Sequence, residues 1–149
     1  MKKNKTLATW LAFFGGPFGL HRFYLYGMFD WLGWLLPVPS LLGLYGISRA
    51  NNLGLDDPLS WVLVPMLGFT VAGCALMAII YGLMPREKWN ARFNKAAAED
   101  DAAGGTNWGT IIAIVLSLML GTAVLMATLA WSFYNYFNVQ VEEGRKISE

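Results

Sequence analysis

The chain has 149 residues, of which 56% are hydrophobic, 15% aromatic and only 14% charged, with a formal net charge of +1. A soluble domain carries about 25% charged residues, so this composition argues against disorder and against a nucleic-acid binder and points to a membrane. Cys74 as the lone cysteine excludes an internal disulfide framework, and His21 as the lone histidine excludes a multi-histidine metal site.

The charged residues leave four long gaps, Thr6 to Leu20, Trp31 to Ser48, Leu59 to Met84 and Thr106 to Val141. A bilayer core needs about 20 helical residues. The first gap covers only about 22 Å as a helix and is interrupted by Gly15-Gly16-Pro17. It crosses only if Lys5 snorkels back and Phe23 and Tyr24 extend it. Its basic start resembles a signal peptide, but no small-residue cleavage site follows, so it is expected to be retained. The second gap reaches across with Met28 and Phe29 added, and Pro37 and Pro39 should kink it or split it into half-helices. Asn51, Asn52, Gly54, Asp56, Asp57 and Pro58 form a polar turn before the third gap. Pro85 closes that run.

From Pro85 to Ala98, Trp89, Phe93, Ala96 and Ala97 share one helical face, away from Arg86, Asn90, Arg92 and Lys95. That pattern suits a short helix in the headgroup layer, with Arg86, Lys88, Trp89, Arg92, Phe93 and Lys95 as its membrane-surface residues. The alternative is a helix end projecting past the bilayer. Glu99, Asp100 and Asp101 should be solvated, and Ala102 to Gly105 is a flexible link to the fourth run. No internal repeat stands out. The expected architecture is an all-α, polytopic membrane protein of about four transmembrane helices, or three if the first run re-enters. Its expected segments are a helical hairpin over 1–55, a third span over 56–84, an interfacial helix and linker over 85–107, and a fourth span with a polar tail over 108–149.

The most distinctive stretch is Lys5, Ala8, Leu11-Ala12-Phe13-Phe14-Gly15-Gly16, Phe18-Gly19-Leu20-His21-Arg22-Phe23-Tyr24-Leu25 and Gly27. It resembles the two-transmembrane ("TM-two") domain family, bacterial type, over roughly residues 5–55. The resemblance implies an apolar helix, a short His-Arg-Phe-Tyr turn and a second apolar helix, in a bacterial inner membrane. Here Tyr26 intervenes before Gly27, and the second helix ends Leu44-Tyr45-Gly46-Ile47-Ser48-Arg49 where members often carry tryptophans and an aspartate.

Candidate residues follow from charge and spacing. Arg22 would pair with Asp30, the only acid between the first two gaps, since an unpaired charge in the bilayer costs about 2.5–3.5 kcal/mol. Phe23, Tyr24 and Tyr26 would then form an interfacial aromatic belt. Alternatively, His21 and Arg22 contact a lipid phosphate or a partner's acidic group, or His21 and Asp30 relay a proton. Gly15 with Gly19, Gly68 with Ala72, and Ser117 with Gly121 are spaced to let helices approach closely. Cys74 should be a small buried residue. The Pro37–Pro39 break could open a pocket, yet the later gaps hold no acid or base for coupled transport. Nucleotide, hydrolase and metalloprotease motifs are missing, and no cofactor is implied. The expected function is a non-enzymatic accessory protein in contact with lipid and with other membrane subunits or itself, not with nucleic acid. A small channel or lipid-interacting transporter is the alternative.

Overall fold

The computed structural model describes residues 2–55, 57–96, 98 and 101–148; Asp56, Ala97, Glu99 and Asp100, singled out above, lie outside the described residues. Among the described residues there is no strand. The helices are α1 (Lys5–Gly15), α2 (Leu20–Tyr26), α3 (Trp31–Leu35), α4 (Pro37–Leu53), α5 (Pro58–Leu83), α6 (Arg86–Phe93) and α7 (Trp108–Ser148), with single 3-10 turns at Gly16–Phe18 and Ala102–Gly104.

Three stretches are long and apolar enough to cross a bilayer: Trp31–Leu53 with 23 residues, Pro58–Leu83 with 26, and the stretch Ala102–Ile147 that holds all of α7 but its last residue. The chain is a polytopic membrane protein. In the first span, Leu36 keeps right-handed helical angles and its N–H reaches Leu32 O at 3.3 Å. Pro37 and Pro39 offer no N–H to the carbonyls of Gly33 and Leu35, which separates α3 from α4 without reversing the chain. Pro65 places the same defect inside α5.

The first apolar run does not cross. Helix α1 has 11 residues, about 16 Å of rise against a core of about 30 Å. At its tip Gly16 packs directly on Cys74, in the body of α5, and Ser40 Oγ donates to Pro17 O at 2.9 Å. Gly19 then adopts φ 74° and ψ 9°, and α2 runs back. Its end meets the start of α1: Asn4 N–H donates to Tyr24 Oη at 2.8 Å, and Lys3 Nζ donates to Tyr24 O at 2.5 Å. Helices α1 and α2 are therefore a re-entrant hairpin that enters and leaves on one side. The His-Arg-Phe-Tyr segment, expected as a turn, lies within α2, because the reversal falls one residue before Leu20, at Gly19.

Packing follows from small residues. Ala8 and Ala12 of α1 are fully buried in a cluster with Leu25, Ala78, Tyr81 and Trp89. Between α5 and α7, Gly68 sits on Thr128, Gly121 faces Ala75 and Gly82 faces Ile114; a Cβ on Gly82 would lie 2.5 Å from Ile114 Cγ1. Between α4 and α5, Gly43 sits on Leu67 and Gly46 on Leu63. The close approaches that glycine permits are thus used inside the chain.

Candidate functional site

A cluster of buried polar side chains, Lys5, His21, Asn90 and Asn94 among them, lies at the hairpin end of the bundle. Lys5 is 1% exposed, and its ammonium donates to Met84 O at 2.9 Å and Thr106 Oγ1 at 2.7 Å. Met84 is the C-cap of α5, so the charge sits at the negative end of that helix dipole. Burial first, and the nearby Arg86 charge second, hold the Lys5 pKa below the ordinary lysine value. Instead of snorkelling to water, Lys5 ties the hairpin to the end of α5 and the start of the third membrane-crossing stretch.

Helix α6 completes this clamp. Trp89 is fully buried and its indole N–H donates to Lys3 O at 2.8 Å. Asn94 accepts from Lys3 N at 2.6 Å and donates to Lys3 O at 3.0 Å. Phe93 is half-buried, with its ring centroid 4.6 Å from that of Trp89. The Trp89–Phe93 face, expected on the headgroup layer, thus packs on protein. Arg86, Lys88, Arg92 and Lys95 are exposed around it. Asn90, expected on the polar face with Arg86, is instead buried, as is Asn94; these two amides four residues apart were the legible hint, since they are poor lipid contacts but good backbone clamps.

Arg22 and Asp30 form a bidentate bridge, Nε to Oδ2 at 2.5 Å and Nη2 to Oδ1 at 3.1 Å. Asp30 is also the N-cap of α3, accepting from Gly33 N at 2.8 Å. The Arg22 hydrogen bond first, with the Gly33 N–H adding to it, keeps the Asp30 carboxyl below the ordinary range. Both carboxylate oxygens are occupied by these donors. His21 is 1% exposed, its ring is centred 6.0 Å from Tyr81, and its Nδ1 has no partner. Burial, then the Arg22 charge, lowers its pKa to about 4 against a smaller opposing pull from Asp30. His21 is therefore a neutral imidazole at ordinary pH. Phe23 packs on Gly33 and lies 5.2 Å from Trp34, centroid to centroid.

A second corner repeats the first. Arg49 bridges Asp57 through Nε at 3.0 Å and Nη2 at 2.8 Å, and Asp57 caps α5 by accepting from Ser60 N at 3.0 Å. In both corners arginine and aspartate are eight residues apart. A glycine at positive φ, Gly27 or Gly54, ends the preceding helix. A tryptophan N–H then closes the turn, Trp34 on Met28 O at 2.8 Å and Trp61 on Leu55 O at 2.7 Å. Gly16, Gly19, Arg22, Gly27, Asp30 and Trp34 recur at one constant offset as Gly43, Gly46, Arg49, Gly54, Asp57 and Trp61. The expectation of no internal repeat is corrected on this point: sparse polar and glycine positions carry the repeat, and the apolar residues between them hide it.

The proposed helix-contact residues are internal. Gly15 packs on Leu20, and Gly19 on the Gly33 carbonyl. Ala72, Ser117 and Gly121 line a groove between α5 and α7; Ser117 is fully buried, with an unpartnered Oγ. Cys74 is buried as expected.

No curated protein and no solved structure matches the chain. Its amino-terminal third, comprising the re-entrant hairpin, the Arg22–Asp30 corner and most of the first span, does: residues 1–48 match the TM2 domain family.

Proposed function

We propose that the protein is a non-enzymatic membrane accessory subunit that packs against other membrane proteins or a second copy of itself. The observation that carries this reading is how little of each span the chain covers. Only 22%, 22% and 17% of the three apolar windows are buried inside the protein. The least exposed charged groups of the hairpin end, Lys5 on α5 and Arg22 on Asp30, hold it together, which supports a structural rather than a chemical role for them. The hairpin end carries Lys2, Lys3, Lys5, Arg22, Arg86, Lys88, Arg92 and Lys95, and the opposite end Arg49, Arg145 and Lys146. By the positive-inside rule, the hairpin end faces the cytoplasm, in a bacterial inner membrane.

The test is copurification of wild type and Arg22→Ala from native membranes in mild detergent. A stoichiometric membrane partner supports the reading, and its loss in the variant makes the corner a contact. A folded wild-type protein that purifies alone and monomeric refutes it. The alternative, a small channel or lipid-interacting transporter, draws on the open cleft beside Arg22 and predicts solute or lipid flux in liposomes.

A further inference from the structure

Between α2 and the first two spans lies a cleft of about 440 Å³. Leu32, Leu35 and Pro39 form one wall, and Phe69, Gly73 and Met77 of α5 the other; His21 and Arg22 stand at its polar end. The volume falls in the ~300–1,000 Å³ range of small-molecule sites. Both walls belong to membrane-crossing helices, so hydrocarbon rather than water borders it.

Two features at the polar end select the occupant. Arg22 commits Nε and Nη2 to Asp30, while the Tyr26 ring lies 5.0 Å from the Arg22 guanidinium carbon and the Tyr26 hydroxyl accepts from Arg92 at 3.2 Å. Arg22 and Arg92 thus flank Tyr26, and the carboxylate bridged there, Asp30, is on Arg22, which leaves a local positive excess at the headgroup level. His21 lines the cleft, and its Nδ1, buried beside it, has no partner; an unpaired buried polar atom favours a hydrogen-bonding occupant. A hydroxyl or an ester group satisfies it.

We propose that this cleft binds one anionic phospholipid, an acyl chain lying between α3–α4 and α5, the glycerol backbone at His21 and the phosphate at Arg22 and Arg92. The site goes beyond the accessory role and does not depend on it.

Native mass spectrometry of the full chain in mild detergent, with phosphatidylglycerol or phosphatidylcholine added, reads this directly. One phosphatidylglycerol per chain should survive, and phosphatidylcholine should dissociate. Gly73 lines the cleft, and a Cβ there meets nothing within 4 Å, so the side chain of Gly73→Leu starts in open space at the cleft wall and should cut retention about tenfold. Ala72→Leu, in the neighbouring α5–α7 groove, should leave retention unchanged. Arg92→Gln, at an exposed position outside the Arg22–Asp30 bridge, should erase the preference between the two lipids, and keeps the test open if Gly73→Leu misfolds. Equal retention of both lipids by wild type, or undiminished retention in a folded Gly73→Leu, overturns the proposal. So does a lipid-free wild-type dimer that Gly73→Leu dissociates, which would make the cleft a seat for a second copy.

Discussion

Substituting alanine at Gly19 tests the re-entrant geometry at its hinge. Gly19 sits at φ 74° and ψ 9°, where a side chain costs about 1–2 kcal/mol. Its Cβ would also run into the Gly33 carbonyl oxygen at the head of α3, backbone that cannot rotate aside, and such overpacking costs about 1–3 kcal/mol. The expected loss is therefore about 2–5 kcal/mol. Gly27 and Gly54 test positive-φ strain without a clash. They sit at φ 96° and 97° with ψ 173° and 168°, and a Cβ on either meets nothing within 4 Å. Strain alone remains, about 1–3 kcal/mol each, and because the corners are alike the two losses should agree within about 0.5 kcal/mol. Equilibrium unfolding in mixed micelles, followed by circular dichroism across an SDS titration, measures all three. Wild-type stability in Gly19→Ala refutes the hinge. A Gly54→Ala loss unlike that of Gly27→Ala refutes the equivalence of the corners.

A double-mutant cycle on Arg22→Ala and Asp30→Ala should give a coupling of about 1.5–3 kcal/mol, the range for hydrogen bonds to charged groups; a coupling near zero in the same unfolding assay contradicts the bidentate bridge. The folded pKa of His21, about 4, lies below the ordinary 6.5, so in that window the unfolded chain binds the extra proton. Stability should therefore fall as pH drops from 6.5 toward 4, and His21→Gln should flatten this part of the profile; an unchanged slope in the variant assigns the dependence elsewhere. Trp89→Ala removes a fully buried ring and the Lys3 hydrogen bond, and should cost about 3–5 kcal/mol. Limited trypsinolysis should then cut faster at Lys2 and Lys3, and protection equal to wild type excludes the α6 clamp.

The long apolar runs were legible because the bilayer imposes a length, and the second and third spans meet it with residues to spare. The proline break at Leu36 was legible too, since Pro37 and Pro39 remove hydrogen bonds whatever surrounds them. What remained open was decided by tertiary partners. Lys5 reads as a snorkelling residue until the end of α5 comes beside it. Trp89 and Phe93 read as lipid anchors because amphipathicity defines an apolar face without saying whether lipid or protein covers it. Gly68, Ser117 and Gly121 have the spacing of a contact strip, and spacing cannot distinguish α5–α7 packing from contact with another chain. The Arg22–Asp30 pair was legible because one acid was within reach. Arg49–Asp57 was hidden by Asp56, an equally placed candidate.

The repeated corner also bears on why the stretch that matches the TM2 domain family makes one crossing and a hairpin here. Each corner performs the same four tasks: glycine ends a helix, aspartate caps the next, arginine neutralises the aspartate and tryptophan closes the turn. Such a junction satisfies its polar groups locally, so it can sit at either face of a bilayer, and the two corners bracket Trp31–Leu53, one at each end. What precedes a corner decides whether the chain has crossed. Before Asp57 come 23 span residues uninterrupted by any reversal. Before Asp30, Lys5 is fixed to Met84 O at one end, and the left-handed Gly19 turns the chain back after a helix of 11 residues. Hydrophobicity admits the hairpin to the membrane. The distance between its polar anchors, shorter than the bilayer is thick, sends it back to the side from which it came.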